Sequence, residues 1–152
     1  MKRSLRYGHA LHIALCDIDR FKVVNDIYGH QVGDEVLKSF AELMKSSVRH
    51  KVDWVARYGG EEFVVVLPEK NALGAENVSE RLRDAIEEKR FDARGKSIRI
   101  TASFGISGSR PDPSHRSLSP DILLMEADQS LLKAKQKGRN CVQIYTPDLV
   151  LM

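Results

Sequence analysis

Trp54-Val55-Ala56-Arg57-Tyr58-Gly59-Gly60-Glu61-Glu62-Phe63-Val64-Val65-Val66-Leu67 is the stretch whose reading decides the fold. Strand-like apolar runs flank Gly59-Gly60, and glycine takes positive φ without steric cost, so the segment reads as a β-hairpin. Two carboxylates follow the glycines at once. Strand alternation sends Glu61 and Glu62 to opposite faces, so one can enter a cleft while the other serves the turn. Read alone, Gly-Gly-Glu-Glu is a polar hairpin tip that happens to be acidic. A second acidic stretch, upstream, changes that reading.

Working back from the hairpin, Leu11 to Cys16 is a brief apolar run ending at Asp17-Ile18-Asp19, a central strand that delivers acids at its carboxyl end. Phe21, Val24, Ile27 and Tyr28 repeat at helical spacing, and Gly29-His30 breaks that helix. A longer helix is expected from Gly33 to about His50, with Val36, Leu37, Phe40, Leu43 and Met44 on one face. Residues 1–10 form a basic tail. Downstream, a helix is expected over roughly Ala72 to Lys89, burying Val78, Leu82, Ala85 and Ile86, with a turn from Asp92 to Lys96. Ile98, Ile100, Ala102, Phe104 and Ile106 alternate with Arg99, Thr101 and Ser103, the period of a strand with one wet or shallow face. Ser107 to Ser117 reads as a surface loop. Ser119-Pro120-Asp121 supplies an N-cap, a first-turn proline and a first-turn acid. The helix they start buries Leu124, Ala127, Leu131 and Ala134 and stops at Gly138, where a left-handed cap is wanted. Cys141 to Tyr145 is the last strand, and residues 147–152 are a tail.

That order predicts an α+β fold, a ferredoxin-like split β-α-β sandwich whose antiparallel sheet carries helices on one face, in residues 11–146. At 152 residues the chain is one domain with a core of its own. An apolar share of 42%, a charged share of 30% and a net charge of +3 are those of an ordinary globule and argue against a nucleic-acid binder. No apolar run has membrane-span length, and the N-terminus lacks a signal-peptide core. Cys16 and Cys141 lack metal-ligand spacing and read as buried thiols of a reducing cytosol.

The corner Asp17-Ile18-Asp19-Arg20-Phe21-Lys22 places carboxylates, which hold hard cations, beside a helix N-terminus, which suits an anion. A nucleoside triphosphate with magnesium requires that pair of sites. Like charges at Asp17 and Glu61 would raise each other's pKa unless a metal lay between them. Taken singly, an Asp-x-Asp such as Asp17 and Asp19 reads as helix caps rather than a metal site. Asn25 and Asp34 flank the break at Gly29 to Gly33 and could read the edge of guanine, or serve only as helix-end residues. Lys135 and Arg139 bracket the last helix's end, where they either favour solubility and the helix dipole or neutralise phosphate.

Asp17-Ile18-Asp19-Arg20-Phe21-Lys22, Asn25-Asp26, Gly29-His30, Gly33-Asp34, Arg57 through Phe63, Ser103-Phe104-Gly105, Ala127-Asp128, Ala134-Lys135 and Gly138-Arg139-Asn140 together resemble the GGDEF family, the diguanylate cyclases. The match runs in order from Leu11 to Tyr145, with the signature in its Gly-Gly-Glu-Glu-Phe form. The resemblance implies a nucleotide-cyclase or polymerase-palm-like fold. It implies condensation of two GTP into cyclic di-GMP and two pyrophosphates by an antiparallel homodimer. It implies two Mg²⁺ or Mn²⁺ ions per site on Asp17, the Ile18 carbonyl and Glu61, with Glu62 a lesser metal or hairpin residue. Glu61 would also be the base at the ribose 3′-hydroxyl, and Lys22, Lys135 and Arg139 would stabilise phosphate charge. Phe21, Asn25, His30, Asp34, Gly59 and Gly60 complete the implied substrate site.

The family's upstream Arg-x-x-Asp product-inhibition motif is here His50-Lys51-Val52-Asp53, with Arg49 one place early and Arg81 in a helper position, so feedback is expected to be weak or absent. Leu132 replaces the usual Tyr, a packing change. The opening Asp-x-Leu-Thr-x-Leu-x-Asn-Arg segment is missing, and an upstream sensory domain is expected. Expected localisation is the cytoplasm, as a free protein or the cytoplasmic portion of a membrane-anchored one. A silent GTP or cyclic di-GMP binding module is the competing reading, and cyclisation of one GTP to cyclic GMP a third.

Overall fold

The computed structural model describes residues 10–69, 71–108 and 119–147. The elements are β1 (His12–Ile18), α1 (Phe21–Tyr28), α2 (His30–Ser47), β2 (Trp54–Gly59), β3 (Glu62–Leu67), α3 (Ala72–Glu88), β4 (Phe91–Ala93), β5 (Lys96–Ile98), β6 (Ala102–Gly108), α4 (Pro120–Gln136) and β7 (Val142–Ile144). Five strands form one sheet in the order β2-β3-β1-β6-β7. All neighbours are antiparallel except β6 and β7. The expected hairpin is β2–β3, and β1 lies at the centre, so the ferredoxin-like core is present.

The helices, however, lie on both faces. Ala14, Cys16, Ile18, Phe63, Val65 and Phe104 pack with Val36, Phe40, Val78 and Leu82 beneath α1, α2 and α3. Ile13 and Leu15 instead meet Leu123, Ala127 and Leu131 of α4, with Val64 and Val66 alongside. The run Leu11 to Cys16 is continuously apolar because β1 is covered on both sides, as central strands are. The same cover buries both faces of β6, so its expected wet face does not exist: Ser103 and Ser107 are buried polar residues. A tilted contact between the Phe40 and Phe63 rings, centroids 4.9 Å apart, adds about 1 kcal/mol beyond burial.

Local departures have local causes. α2 begins at His30, not Gly33, because Gly29 (φ 90°) alone makes the break and Gly33 N–H already donates to Gly29 O at 3.1 Å. It ends at Ser47, three residues short of His50, where Val48 turns extended. Residues 92 to 96 form the hairpin of β4 and β5 instead of a plain turn: Arg94 and Gly95 both have positive φ, the pattern of a two-residue hairpin loop. Ala85 is only partly buried; Ala75 and Ser79 take its place in α3. Ser119 caps α4 through Ile122 N–H as expected, but Leu123 is the buried residue and Leu124 lies half out. Leu132 is 56% exposed, so its exchange alters surface, not packing. The terminal tails lie almost wholly outside the described residues, as does most of the expected 107–117 loop, although β6 continues through Ser107 and Gly108. Among the described residues no helix is long and apolar enough to cross a membrane.

Candidate functional site

The carboxyl end of β1 carries Asp17 between two neighbours. Its partner across β3 is Glu62, and its partner across β6 is Ser103. Glu61 sits one residue earlier, in the hairpin turn, where its carbonyl accepts the Ile18 N–H at 3.3 Å. The turn is therefore laced to the strand end, and Arg57 Nε clamps it from below by donating to Gly60 O at 2.8 Å. The strand alternation that was expected to part the two glutamates operates only from Glu62 onward. Asp17 and Glu62 share the α4 face with Leu15 and Val64.

Lys135, from the last turn of α4, reaches that face and donates from Nζ to Asp17 Oδ2 at 2.6 Å. The helix can come so close because Gly105 of β6 has no side chain: a Cβ there would lie 2.2 Å from both Ala127 O and Leu131 N. Burial pushes the Asp17 carboxyl upward, the Lys135 ammonium pulls it down, and Glu61 and Asp19 push it up again. Glu62 is likewise raised by burial, then by Asp17, with Asp128 and Glu61 adding to the push. One lysine thus answers several acids, and an added cation would lower the energy of both carboxylates. Among the described residues no three His, Cys, Asp or Glu side chains are already grouped to hold a metal. The donors available are the Asp17 and Glu61 carboxylates and the Ile18 carbonyl, all hard oxygens that suit Mg²⁺ or Mn²⁺.

Two more of the expected residues, Asn25 and Asp34, come together between α1 and α2. Gly33 is buried against α1, where an added Cβ would meet Asn25 Oδ1 at 1.8 Å and Phe21 Cζ at 3.3 Å. Its missing side chain lets the half-buried Asn25 lie against α2 one residue from Asp34, which is exposed. A cavity of about 510 Å³ opens beside Asp34, lined also by Lys38, Arg57 and Phe63. Lys22 is exposed in the first turn of α1; His30, Gly59, Gly60 and Arg139 are exposed as well.

Two of the three expected inhibitory residues, Asp53 and Arg81, already hold other partners. Asp53 is buried and accepts from Arg49 Nε (3.0 Å), Nη2 (2.8 Å) and backbone N (2.9 Å). Arg49 also grips Glu69. Left-handed Lys51 (φ 63°) folds the chain so that an arginine one place early still forks the aspartate. Arg81 donates to Ser47 O at 3.3 Å, and His50 is exposed.

The family described as "Diguanylate cyclase, GGDEF domain" matches residues 1–141. This chain belongs to the GGDEF family. It is 43% identical over 139 residues to Diguanylate cyclase A of Treponema denticola, covering 91% of this chain and 36% of that protein. It is 39% identical over 144 residues to the response regulator PleD of Caulobacter vibrioides, covering 93% and 31%. The chain therefore spans about a third of the length of these curated relatives. Among solved structures, the active GGEEF domain of a diguanylate cyclase from Vibrio cholerae superposes with a TM-score of 0.83 at 33% identity, covering 97% of this GGDEF chain and 90% of that one. The GGDEF domain of DgcB from Caulobacter crescentus, in complex with c-di-GMP, gives 0.84 at 29% identity, covering 95% and 82%.

Several residues of this GGDEF domain drew no role from sequence, or, for Asp19, a different one. Gly33 and Gly105 matter for the space they leave, which no pattern of side chains announces. Asp128 faces Glu62 from α4, and Asp19 turns away toward β6, accepting from Thr101 Oγ1 at 2.8 Å and Ser103 Oγ at 2.6 Å. Alternation would keep Asp17 and Asp19, two residues apart, on one face; they take different partners because β1 ends at Ile18 and Asp19 lies beyond it, against Thr101 and Ser103.

Proposed function

We propose that this domain is a diguanylate cyclase, joining two GTP molecules into cyclic di-GMP with release of two pyrophosphates. The observation that carries the reading is the lacing of the Glu61 turn onto the Asp17 end of β1, which brings acids from two separate elements to one place, where Asp17 already accepts from the half-buried Lys135. Asp17, the Ile18 carbonyl and Glu61 would hold the two Mg²⁺ or Mn²⁺ ions, with Glu62 supporting from the next strand position. When bound, such ions neutralise phosphate charge and polarise the oxygens of the reacting phosphorus.

The chain's own residues supply the rest. Asn25 and Asp34 bind the guanine edge, Asp34 accepting from its ring and amino N–H groups, and a base without those donors leaves both groups unpaired. Phe21 backs Asn25 against Gly33, His30 lies near the ribose or base, and Gly59 and Gly60 let the backbone approach the nucleotide closely. Glu61 removes the proton from the ribose 3′-hydroxyl. That oxygen attacks the α-phosphorus of a GTP held by a second copy of the domain, and pyrophosphate departs. Lys22, Lys135 and Arg139 bear the charge on the phosphates. Because one chain holds one GTP, ring closure requires an antiparallel homodimer. With Asp53 locked to Arg49, product feedback through His50, Asp53 and Arg81 is weak or absent. GTP as substrate places the work in the cytoplasm, under an upstream sensory domain.

The test is incubation of the domain at high concentration with GTP and Mg²⁺, followed by chromatographic separation of the nucleotides. Cyclic di-GMP that disappears in Glu61→Gln, while GTP still binds, is the expected outcome. GTP or cyclic di-GMP binding without any turnover would make the chain a silent binding module, and cyclic GMP as product would replace the two-substrate reaction.

A further inference from the structure

The turn after α4 takes three successive residues through positive φ. Gly138, Arg139 and Asn140 have φ of 111°, 66° and 47°. Glycine enters that region freely and asparagine readily, but an arginine held there is strained and persists only where its surroundings over-determine it. Those surroundings are identifiable. On one side, the Arg139 N–H donates to Ala134 O at 3.0 Å, tying the residue back to α4. On the other, the Asn140 N–H donates to Asp19 Oδ2 at 3.0 Å and reaches Ser103 Oγ at 3.2 Å. The Asn140 side chain is held from outside, its Oδ1 accepting from Arg83 Nη1 at 2.9 Å, while Arg83 is itself paired with Glu80 and Glu87 on α3.

Asp19 is the centre of this arrangement. It is 8% exposed, and its two oxygens accept from Thr101, Ser103 and the Asn140 backbone. A carboxylate so occupied acts as a strut between the end of β1, β6 and the turn, distinct from Asp17, whose Oδ2 accepts from Lys135 Nζ.

We propose that Asp19 is a positioning residue for the reaction: it fixes the left-handed path of Gly138 to Asn140 and so aims the Arg139 guanidinium at the substrate's phosphates. This rests on the reading of Arg139 as a phosphate contact given above. Asp19 touches no substrate atom and acts through Arg139.

The experiment is a double-mutant cycle on the whole chain with Asp19→Ala and Arg139→Ala. Binding of guanosine and of a non-reactive α,β-methylene analogue of GTP is measured by calorimetry, and manganese binding without nucleotide by electron paramagnetic resonance. Asp19→Ala should weaken the analogue about tenfold, the scale of one charge-assisted hydrogen bond, and leave guanosine unchanged. In the Arg139→Ala background it should have no further effect. Additive losses, equal loss for guanosine, or no loss at all overturn the proposal. Weaker manganese binding would make Asp19 a metal ligand instead, and overturn it too. Should Asp19→Ala fail to fold, Thr101→Val and Asp19→Asn, which each weaken the strut without emptying the site, take its place in the same cycle. A wild-type chain that neither binds the analogue nor makes cyclic di-GMP sinks the parent reading; one that binds while the cycle is additive sinks this inference alone.

Discussion

Replacing Gly33 with alanine is expected to spare the fold and disarm base recognition. The new Cβ would sit 1.8 Å from Asn25 Oδ1, against an ordinary contact distance that begins at 3.4 Å. The amide must therefore retreat by roughly 1.5 Å, since overlap at closer range is steeply repulsive. That retreat is cheap for the protein, because the obstructing atom is the end of a half-buried, rotatable side chain. The helix also gains, as alanine is favoured over glycine inside a helix by about 1 kcal/mol. The net change in stability should stay within about 1 kcal/mol, read as a shift of under roughly 4 °C in a melting curve for a chain of this size. Binding should respond differently. Displacing one partner of a specific hydrogen bond to a buried polar edge costs about 1–3 kcal/mol, which is roughly 5- to 150-fold in affinity. The assay is equilibrium titration of GTP and ATP in a Glu61→Gln background, where no turnover consumes the ligand, with melts run in parallel. Loss of the GTP-over-ATP preference with an intact melt is the expected result. A preference kept within about twofold would refute Asn25 as a reader of the base, and a stability loss above about 3 kcal/mol would refute the packing argument.

Gly105→Ala should behave in the opposite way, because its Cβ would strike α4 backbone at 2.2 Å; overpacking of about 3 kcal/mol is expected in denaturant titration, with Gly59→Ala, where nothing lies within 4 Å, as a neutral control. Arg49→Ala strips two side-chain bonds from buried Asp53 and should cost about 2 kcal/mol without changing how added cyclic di-GMP affects the rate. His12 is depressed below 6.5, chiefly by burial, against the raising influence of Glu69. The unfolded chain therefore binds that proton more readily, so the stabilisation is whole above pH 6.5 and is lost as pH falls below it, at up to about 1.4 kcal/mol per pH unit. Urea titrations across that window should give a shallower slope for His12→Gln than for the parent; an unchanged slope would assign the pH dependence elsewhere.

Much of this architecture was legible because a few residues leave little choice. Gly59-Gly60 between strand formers can only turn, Ser119-Pro120-Asp121 can only begin a helix, and Gly138 can readily end one. The acids at Asp17, Glu61 and Glu62 were visible for the same reason, as charge placed where apolar runs stop. What escaped was decided by space and by contacts distant in sequence. The second helical layer depends on α4 settling over Leu15 and Gly105, and Leu123 or Leu124 could equally have faced inward. Arg94 and Gly95 make a hairpin that composition disguises as a turn. Asp19 reads as a twin of Asp17 until Thr101, Ser103 and Asn140, more than eighty residues away, claim its oxygens.

The placement of β1 gives the two jaws of the cleft unequal freedom. Asp17 stands on a strand hemmed in by β3, β6, α3 and α4, whose amides can open only when the whole domain comes apart. Glu61 rides on a short loop beside β2, whose residues are largely exposed and whose outer edge pairs with nothing described. Adjustment to each new nucleotide therefore falls to the hairpin, while the strand keeps the bearing, and in hydrogen exchange the slowest and some of the fastest backbone positions should lie within a few residues of each other.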